Sequence, residues 1–180
     1  EQLRLTEMTQ PAMLTVSIAL FRILEKRESV PDFVAGHSVG EYAALVATGG
    51  LGFHDAVRLV HQRGRFMQEA VPVGVGAMAA VLGLKLPEVR EICQEAACGE
   101  VVSPANINSA DQIVISGHRQ AVERATELAR TQGARKVVPL PVSAPFHCEL
   151  MKPAEERLSQ VIEEISFRNL RVPLINNFEA

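Results

Sequence analysis

The segment Gly36-His37-Ser38-Val39-Gly40 constrains this chain more than any other. It follows a short apolar run, Phe33-Val34-Ala35, opened by Pro31, and it leads into Glu41-Tyr42-Ala43-Ala44-Leu45-Val46-Ala47, whose residues favour a helix. The order is strand, tight turn, helix. A G-x-S-x-G motif in that setting is a nucleophile elbow, in which a crowded turn lifts the serine hydroxyl clear of a sheet. An ordinary glycine-rich turn that contains serine by composition fits the same placement, because Gly and Ser are both common turn residues. At the start of the following helix the Val39 N–H lacks an intrahelical partner and lies at the positive end of the dipole, a position suited to an oxyanion.

The rest of the chain reads as α/β. Thr9 followed by Pro11 marks a helix start, and Met13, Val16, Leu20, Ile23 and Leu24 recur along one helical face. Gly49-Gly50 ends the helix after the elbow, and Phe53 to Ala70 forms another. From Gly76 the texture changes to strand (77–82), helix (87–97), strand (101–107), strand (112–116), helix (119–132) and strand (136–142). That βαββαβ order is the ferredoxin-like one. A charged amphipathic helix over 149–165 and a short strand over 172–175 then resume the first pattern. The expected architecture is therefore an α/β-hydrolase-like large subdomain, residues 1–75 and 142–180, carrying an inserted ferredoxin-like small subdomain, residues 76–141. The cleft between two such lobes is where a site is expected.

Composition narrows the partners. With 47% apolar and 22% charged residues the chain has the makeup of a folded domain, and a net charge of −3 lacks the excess of cations that nucleic-acid binding uses. No apolar run approaches the roughly 20 residues of a membrane span, and residues 1–10 are polar rather than signal-like. No nucleic acid and no membrane are expected as partners, and the expected compartment is the cytosol. Three cysteines, Cys93, Cys98 and Cys148, without paired spacing read as reduced thiols rather than a disulfide framework or metal site.

A serine nucleophile needs a base, most often histidine. Of the five histidines, His54, His61 and His118 read as solvated surface residues. His37 abuts Ser38, but neighbouring side chains in a tight turn diverge, so it shapes a pocket more readily than it takes a proton. His147 follows Ser143-Ala144-Pro145-Phe146 and precedes a helix; it reads equally as a cleft-facing base or as a helix-start histidine with a satisfied ring. At about 100° per residue, Arg63 falls among Ala56, Leu59, Phe66 and Ala70 on the apolar side of its helix. A guanidinium there needs an anion, and Arg grips carboxylates in two-pronged fashion. A substrate carboxylate, an internal salt bridge and a snorkelling side chain all remain open on this pattern.

Together with Thr9-Gln10-Pro11-Ala12, Gln62-Arg63-Gly64-Arg65-Phe66-Met67-Gln68, Asn106-Ile107-Asn108-Ser109, Pro145-Phe146-His147-Cys148 and Val172-Pro173-Leu174-Ile175-Asn176-Asn177, the elbow resembles the malonyl-CoA:acyl carrier protein transacylases of bacterial fatty acid synthesis and the related acyltransferase domains of polyketide synthases. The resemblance covers nearly the whole chain. It implies Ser38 as the acylated nucleophile, His147 as base, Arg63 as clamp on the malonyl carboxylate, the Val39 amide as an oxyanion donor, and Gln10 and Asn108 as pocket-lining residues. Phe146, before the histidine, matches the malonyl-selective pattern. The implied substrate is malonyl-CoA, the implied partners are a coenzyme A thioester and acyl carrier protein, and no permanently bound cofactor or metal is implied.

The family also carries a first strand with a Gly-Gln-Gly loop that supplies a second oxyanion amide, and a later segment that orients the histidine. Neither is found in these 180 residues, so the chain reads as truncated at both ends. Loss of one oxyanion donor typically costs about a hundred- to thousandfold in rate. Two other functions compete with transfer: a serine esterase or thioesterase of α/β-hydrolase type, and a non-catalytic fragment that binds carrier protein.

Overall fold

The computed structural model describes residues 3, 5–27 and 31–178; the polar positions 1, 2 and 4 lie outside the described residues. Contacts group the chain into two compact units, Glu1–Arg65 with Arg157–Ala180, and Phe66–Glu156. The sequence reading draws its boundaries at 76 and 142 instead. The difference has a physical source: the end of one helix and the segment after residue 141 bond within the second unit. Gln68 Nε2 donates to the Ser143 carbonyl at 3.2 Å, and Phe146 packs against the Met78, Ala80 and Val114 cluster. His147, expected in the same lobe as Ser38, consequently belongs to the second unit.

In the first unit, helix α1 (Thr6–Glu25), strand β1 (Val34–Ala35), helix α2 (Gly40–Ala47) and the greater part of helix α3 (Phe53–Ala70) are followed, after the second unit, by most of helix α6 (Lys152–Glu163) and by strand β6 (Leu174–Ile175). β1 and β6 pair in parallel, Val34 opposite Leu174 and Ala35 opposite Ile175. The core joins Leu14 and Ile18 of α1 to Ala43 and Val46 of α2 and Ala56, Leu59 and Val60 of α3, with Leu158, Val161 and Ile162 of α6 packed against it.

α1 departs from expectation at its start. It begins at Thr6, with Pro11 inside it, and the stripe Met13, Val16, Leu20, Ile23 and Leu24 is more than half exposed at every position. The buried side carries Thr6, Gln10, Leu14 and Ile18. This helix has apolar residues on two sides, and periodicity alone does not say which one faces the core. The choice is made by close approach to α3. A Cβ on Gly64 would lie 2.5 Å from the Glu7 Cα and 2.6 Å from the Thr6 carbonyl oxygen, so only glycine lets α3 pass the first turn of α1. Gln10 then lies one turn along from that crossing, on the buried side.

In the second unit, β2 (Gly76–Leu82), α4 (Leu86–Ala97), β3 (Val102–Ser109), β4 (Gln112–His118), α5 (Arg119–Thr131) and β5 (Lys136–Pro139) follow one another as βαββαβ. The strands form one antiparallel sheet in the order β3-β4-β2-β5. β2 is buried on both faces and therefore reads as an unbroken apolar run. Ala79 and Val81 pack with Val89, Ile92 and Cys93 of α4 and Ala121, Val122 and Ala125 of α5; Met78 and Ala80 point to the other face. A 3₁₀ turn over Glu149–Met151 leads into α6.

Candidate active site

Ser38 stands between β1 and α2 with φ of 53°, in the left-handed region that side chains other than glycine rarely enter. The turn is closed by short bonds: the Gly40 N–H donates to the His37 carbonyl at 2.9 Å, Glu41 N–H to Ser38 at 3.2 Å and Tyr42 N–H to Val39 at 3.2 Å. A Cβ on Gly36 would lie 2.0 Å from the Gly40 carbonyl carbon, so the elbow closes only with glycine at its first position. Val39 is the N-cap residue of α2, and its N–H precedes the three taken up by this turn.

Arg63 of α3 reaches this elbow. Its Nη2 donates to Ser38 Oγ at 3.2 Å and its Nη1 to Gln10 Oε1 at 2.6 Å. Gln10, 5% exposed, is fixed in its turn by donation from Nε2 to Thr6 Oγ1 at 2.9 Å, so its amide oxygen must face the guanidinium. The guanidinium carbon lies 5.7 Å from the centre of the Tyr42 ring, within reach of a cation–π interaction. Burial holds the Arg63 pKa below its ordinary value, while Tyr42 and Glu41 raise it. Burial likewise pushes the Tyr42 phenol up, against the lowering effect of Arg63. Among the described residues no carboxylate lies within 4.0 Å of Arg63, so the internal salt bridge left open by the sequence is not what holds it. A partly desolvated cation surrounded by an amide, a hydroxyl and an aromatic face keeps a demand for an anion.

Two further groups complete the elbow. Asn177, two residues past β6, accepts the Ser38 N–H on Oδ1 at 3.0 Å and donates from Nδ2 to the Gly36 carbonyl and to Glu41; its own N–H donates to Glu41 Oε2 at 3.0 Å. Sequence reasoning gave no role to Tyr42, Glu41 or Asn177. Glu41 and Tyr42 follow the motif directly on α2, and that adjacency was the available signal. Asn177 carries none, being 139 residues away.

Of the other expected site residues, His37 belongs to the first unit and Asn108, Phe146 and His147 to the second. His37 is exposed beside Ser38. Asn108 is exposed on β3, and Phe146 is half-buried against the second unit's sheet. His147 is exposed and has φ of 59°. Its neighbours are fixed: Phe146 N–H donates to Ala144 at 3.1 Å, Cys148 Sγ to Pro145 at 3.2 Å, and Met151 N–H to Cys148 at 2.9 Å. Burial raises the Cys148 thiol pKa. Among the described residues only Ser38, Cys98 and His147 have positive φ without being glycine, and Cys98 is accounted for as the left-handed cap of α4. Backbone strain of this kind concentrates where function over-determines a conformation.

The sequence matches the acyl transferase domain family over residues 1–180. The chain belongs to that family. This acyl transferase domain is 52% identical over 181 residues to the malonyl CoA-acyl carrier protein transacylase of Escherichia coli K12, covering 100% of this chain and 59% of that protein. It is 49% identical to the Bacillus subtilis transacylase, covering 57% of it. The chain thus spans somewhat under three fifths of the length of these relatives. Among solved structures, the malonyl CoA-acyl carrier protein transacylase of Coxiella burnetii superposes with a TM-score of 0.96 at 54% identity, over 97% of this chain and 56% of that one. A type II polyketide acyl carrier protein in complex with its malonyl-transacylase matches at 46% identity and a TM-score of 0.96, over 98% of this chain and 58% of that one. The mixed α/β fold is that of these enzymes. Among the described residues no cluster of His, Cys, Asp and Glu suited to a metal occurs, and no helix is long and apolar enough to cross a membrane.

Proposed function

We propose that the chain is the acyl transferase part of an enzyme that moves a malonyl group from malonyl-CoA to the phosphopantetheine thiol of acyl carrier protein, through an ester on Ser38, for fatty acid biosynthesis in the cytosol. The observation that carries this reading is the Arg63 guanidinium, partly buried, held by neutral partners and 3.2 Å from Ser38 Oγ. Such a cation favours an acyl group that ends in a carboxylate, because the anion restores what burial removes. A neutral acyl group makes no use of it. In fold terms the reading is an α/β-hydrolase-like part bearing the elbow and a ferredoxin-like inserted part.

In the first half-reaction Ser38 Oγ attacks the thioester carbonyl carbon as His147 accepts the serine proton. The Val39 N–H faces the developing oxyanion. The carbon–sulfur bond breaks, coenzyme A leaves as its thiol with the proton from His147, and Arg63 retains the malonyl carboxylate. In the second half the carrier thiol gives its proton to His147 and attacks the Ser38 ester, and Ser38 recovers the proton as the malonyl thioester departs. Gln10, bonded to Arg63, and Asn108 line the acyl site, His37 borders it, and Phe146 bears on acyl-group choice in this reading.

Incubation with malonyl-CoA and acetyl-CoA in parallel, followed by intact mass and peptide mapping, tests it. Malonyl on Ser38 with little acetyl, stable until carrier protein is added, is expected. Malonate released to water without carrier protein would point to a hydrolase instead. Carrier protein bound with Ser38 never acylated would point to a binding fragment.

A further inference from the structure

Serine does not hold φ of 53° by its own preference, so something in the structure must impose it. The turn bonds at the start of α2 begin one residue too late to do this alone: they take up the carbonyls of residues 37 to 39 and leave the Ser38 N–H to another partner. That partner is Asn177. Its side-chain amide spans the nucleophile, with Oδ1 on the Ser38 N–H at 3.0 Å and Nδ2 on the Gly36 carbonyl. One flat group thereby fixes the peptide units before and after residue 37.

An amide can be reversed end for end, and in the reversed state it would present Nδ2 to the Ser38 N–H, donor against donor. Glu41 decides between the two. Its carboxylate accepts from Asn177 Nδ2 and, through Oε2 at 3.0 Å, from the Asn177 N–H. As a carboxylate it only accepts, so Nδ2 must face Glu41 and Oδ1 must face Ser38. The parallel pairing of β6 with β1, Ala35 opposite Ile175, delivers Asn177 to this place.

We propose that Asn177 and Glu41 are positioning residues for the nucleophile, holding Ser38 in the left-handed conformation in which its Oγ meets Arg63. The role rests on the reading that Ser38 is the acylated group. It also removes the Ser38 N–H from the donors open to an oxyanion, and leaves that task to Val39.

The variants rank in a definite order. Asn177→Ala loses both ends of the bracket. Asn177→Asp keeps an acceptor for the Ser38 N–H but sets a carboxylate against Glu41 and the Gly36 carbonyl, and is no better than alanine. Glu41→Gln keeps an acceptor oxygen for Asn177 and is the mildest. Single-turnover acylation of Ser38 across a range of malonyl-CoA concentrations is read by mass, alongside hydrogen exchange of the Ser38 amide by NMR and the thermal midpoint. Asn177→Ala is expected to lower the maximal acylation rate about tenfold to a hundredfold, with the half-saturating concentration unchanged, and to speed Ser38 amide exchange. A maximal rate equal to that of the unaltered chain, or a loss confined to half-saturation, overturns the proposal. If the unaltered chain forms no ester, the acyl transfer reading fails on its own, and the exchange rate decides: faster in Asn177→Ala upholds the bracket, unchanged rejects it.

Discussion

Arg63 Nη2 lies 3.2 Å from Ser38 Oγ, and the other arm of the same guanidinium is held at 2.6 Å by Gln10. One cation is thus tied to the elbow hydroxyl and to a buried amide that fixes its direction. If its task is to receive a carboxylate, Arg63→Ala should slow malonyl loading of Ser38 about tenfold to a hundredfold, the range of a lost charge-assisted hydrogen bond, and leave the slow acetyl loading unchanged. Competition between the two thioesters, read by mass on Ser38, checks it.

Gln10→Glu offers Arg63 an anion of its own at hydrogen-bond distance, on a helix turn that is already in place. The internal pair should satisfy the cation and compete with the substrate. We expect malonyl loading to need a higher malonyl-CoA concentration, while Gln10→Ala, which removes a partner without supplying charge, has the smaller effect. Half-saturating concentrations in single-turnover loading separate the two.

Gly64 is the point where α3 passes α1, with the Glu7 Cα 2.5 Å from where a Cβ would sit. Backbone on that side cannot yield as a side chain can. Gly64→Ala should destabilise the fold by about 1–3 kcal/mol, the usual cost of overpacking, and should weaken malonyl loading because it displaces Gln10 from Arg63. Urea midpoints and loading rates measured on the same preparations test both halves.

Burial pushes the Cys93 thiol up to about 12. The unfolded chain loses that proton near the ordinary thiol value of about 8.5, whereas the folded chain keeps it, so the folded state binds more protons in between. Stability from this group is fully present below the ordinary value and is lost as pH rises towards 12, by about 1.4 kcal/mol per pH unit. Cys93→Ala should therefore show a flatter decline in stability between pH 9 and pH 11 than the unaltered chain, on the order of one proton in slope. Exposed Cys98 should alkylate readily in the native state and Cys93 should not.

What could be read from the sequence was what repeats or lies close together. The elbow was visible because strand, serine and helix are contiguous, and Arg63 because a cation among Ala56, Leu59 and Phe66 breaks a helical period. The strands and helices between Gly76 and Pro139 announced themselves through alternation and turns. The division into units did not, since both junctions fall inside continuous helices, α3 and α6, whose helical period runs on across the boundary. Which side of α1 faces the core was not legible, because Leu14 and Ile18 compete with a longer apolar stripe. Asn177 was invisible as a functional group, because a hydrogen bond across 139 residues leaves no spacing to detect.

That same separation bears on how the elbow comes into being. Translation delivers the serine before the asparagine, and a ribosome adding about 5–20 residues each second must make 139 more residues before the asparagine that brackets it exists. For that interval, several seconds at the faster pace, the chain carries its serine without the Asn177 contact to its N–H. An unfinished polypeptide thus carries an unset elbow until β6 and the residues after it have been made.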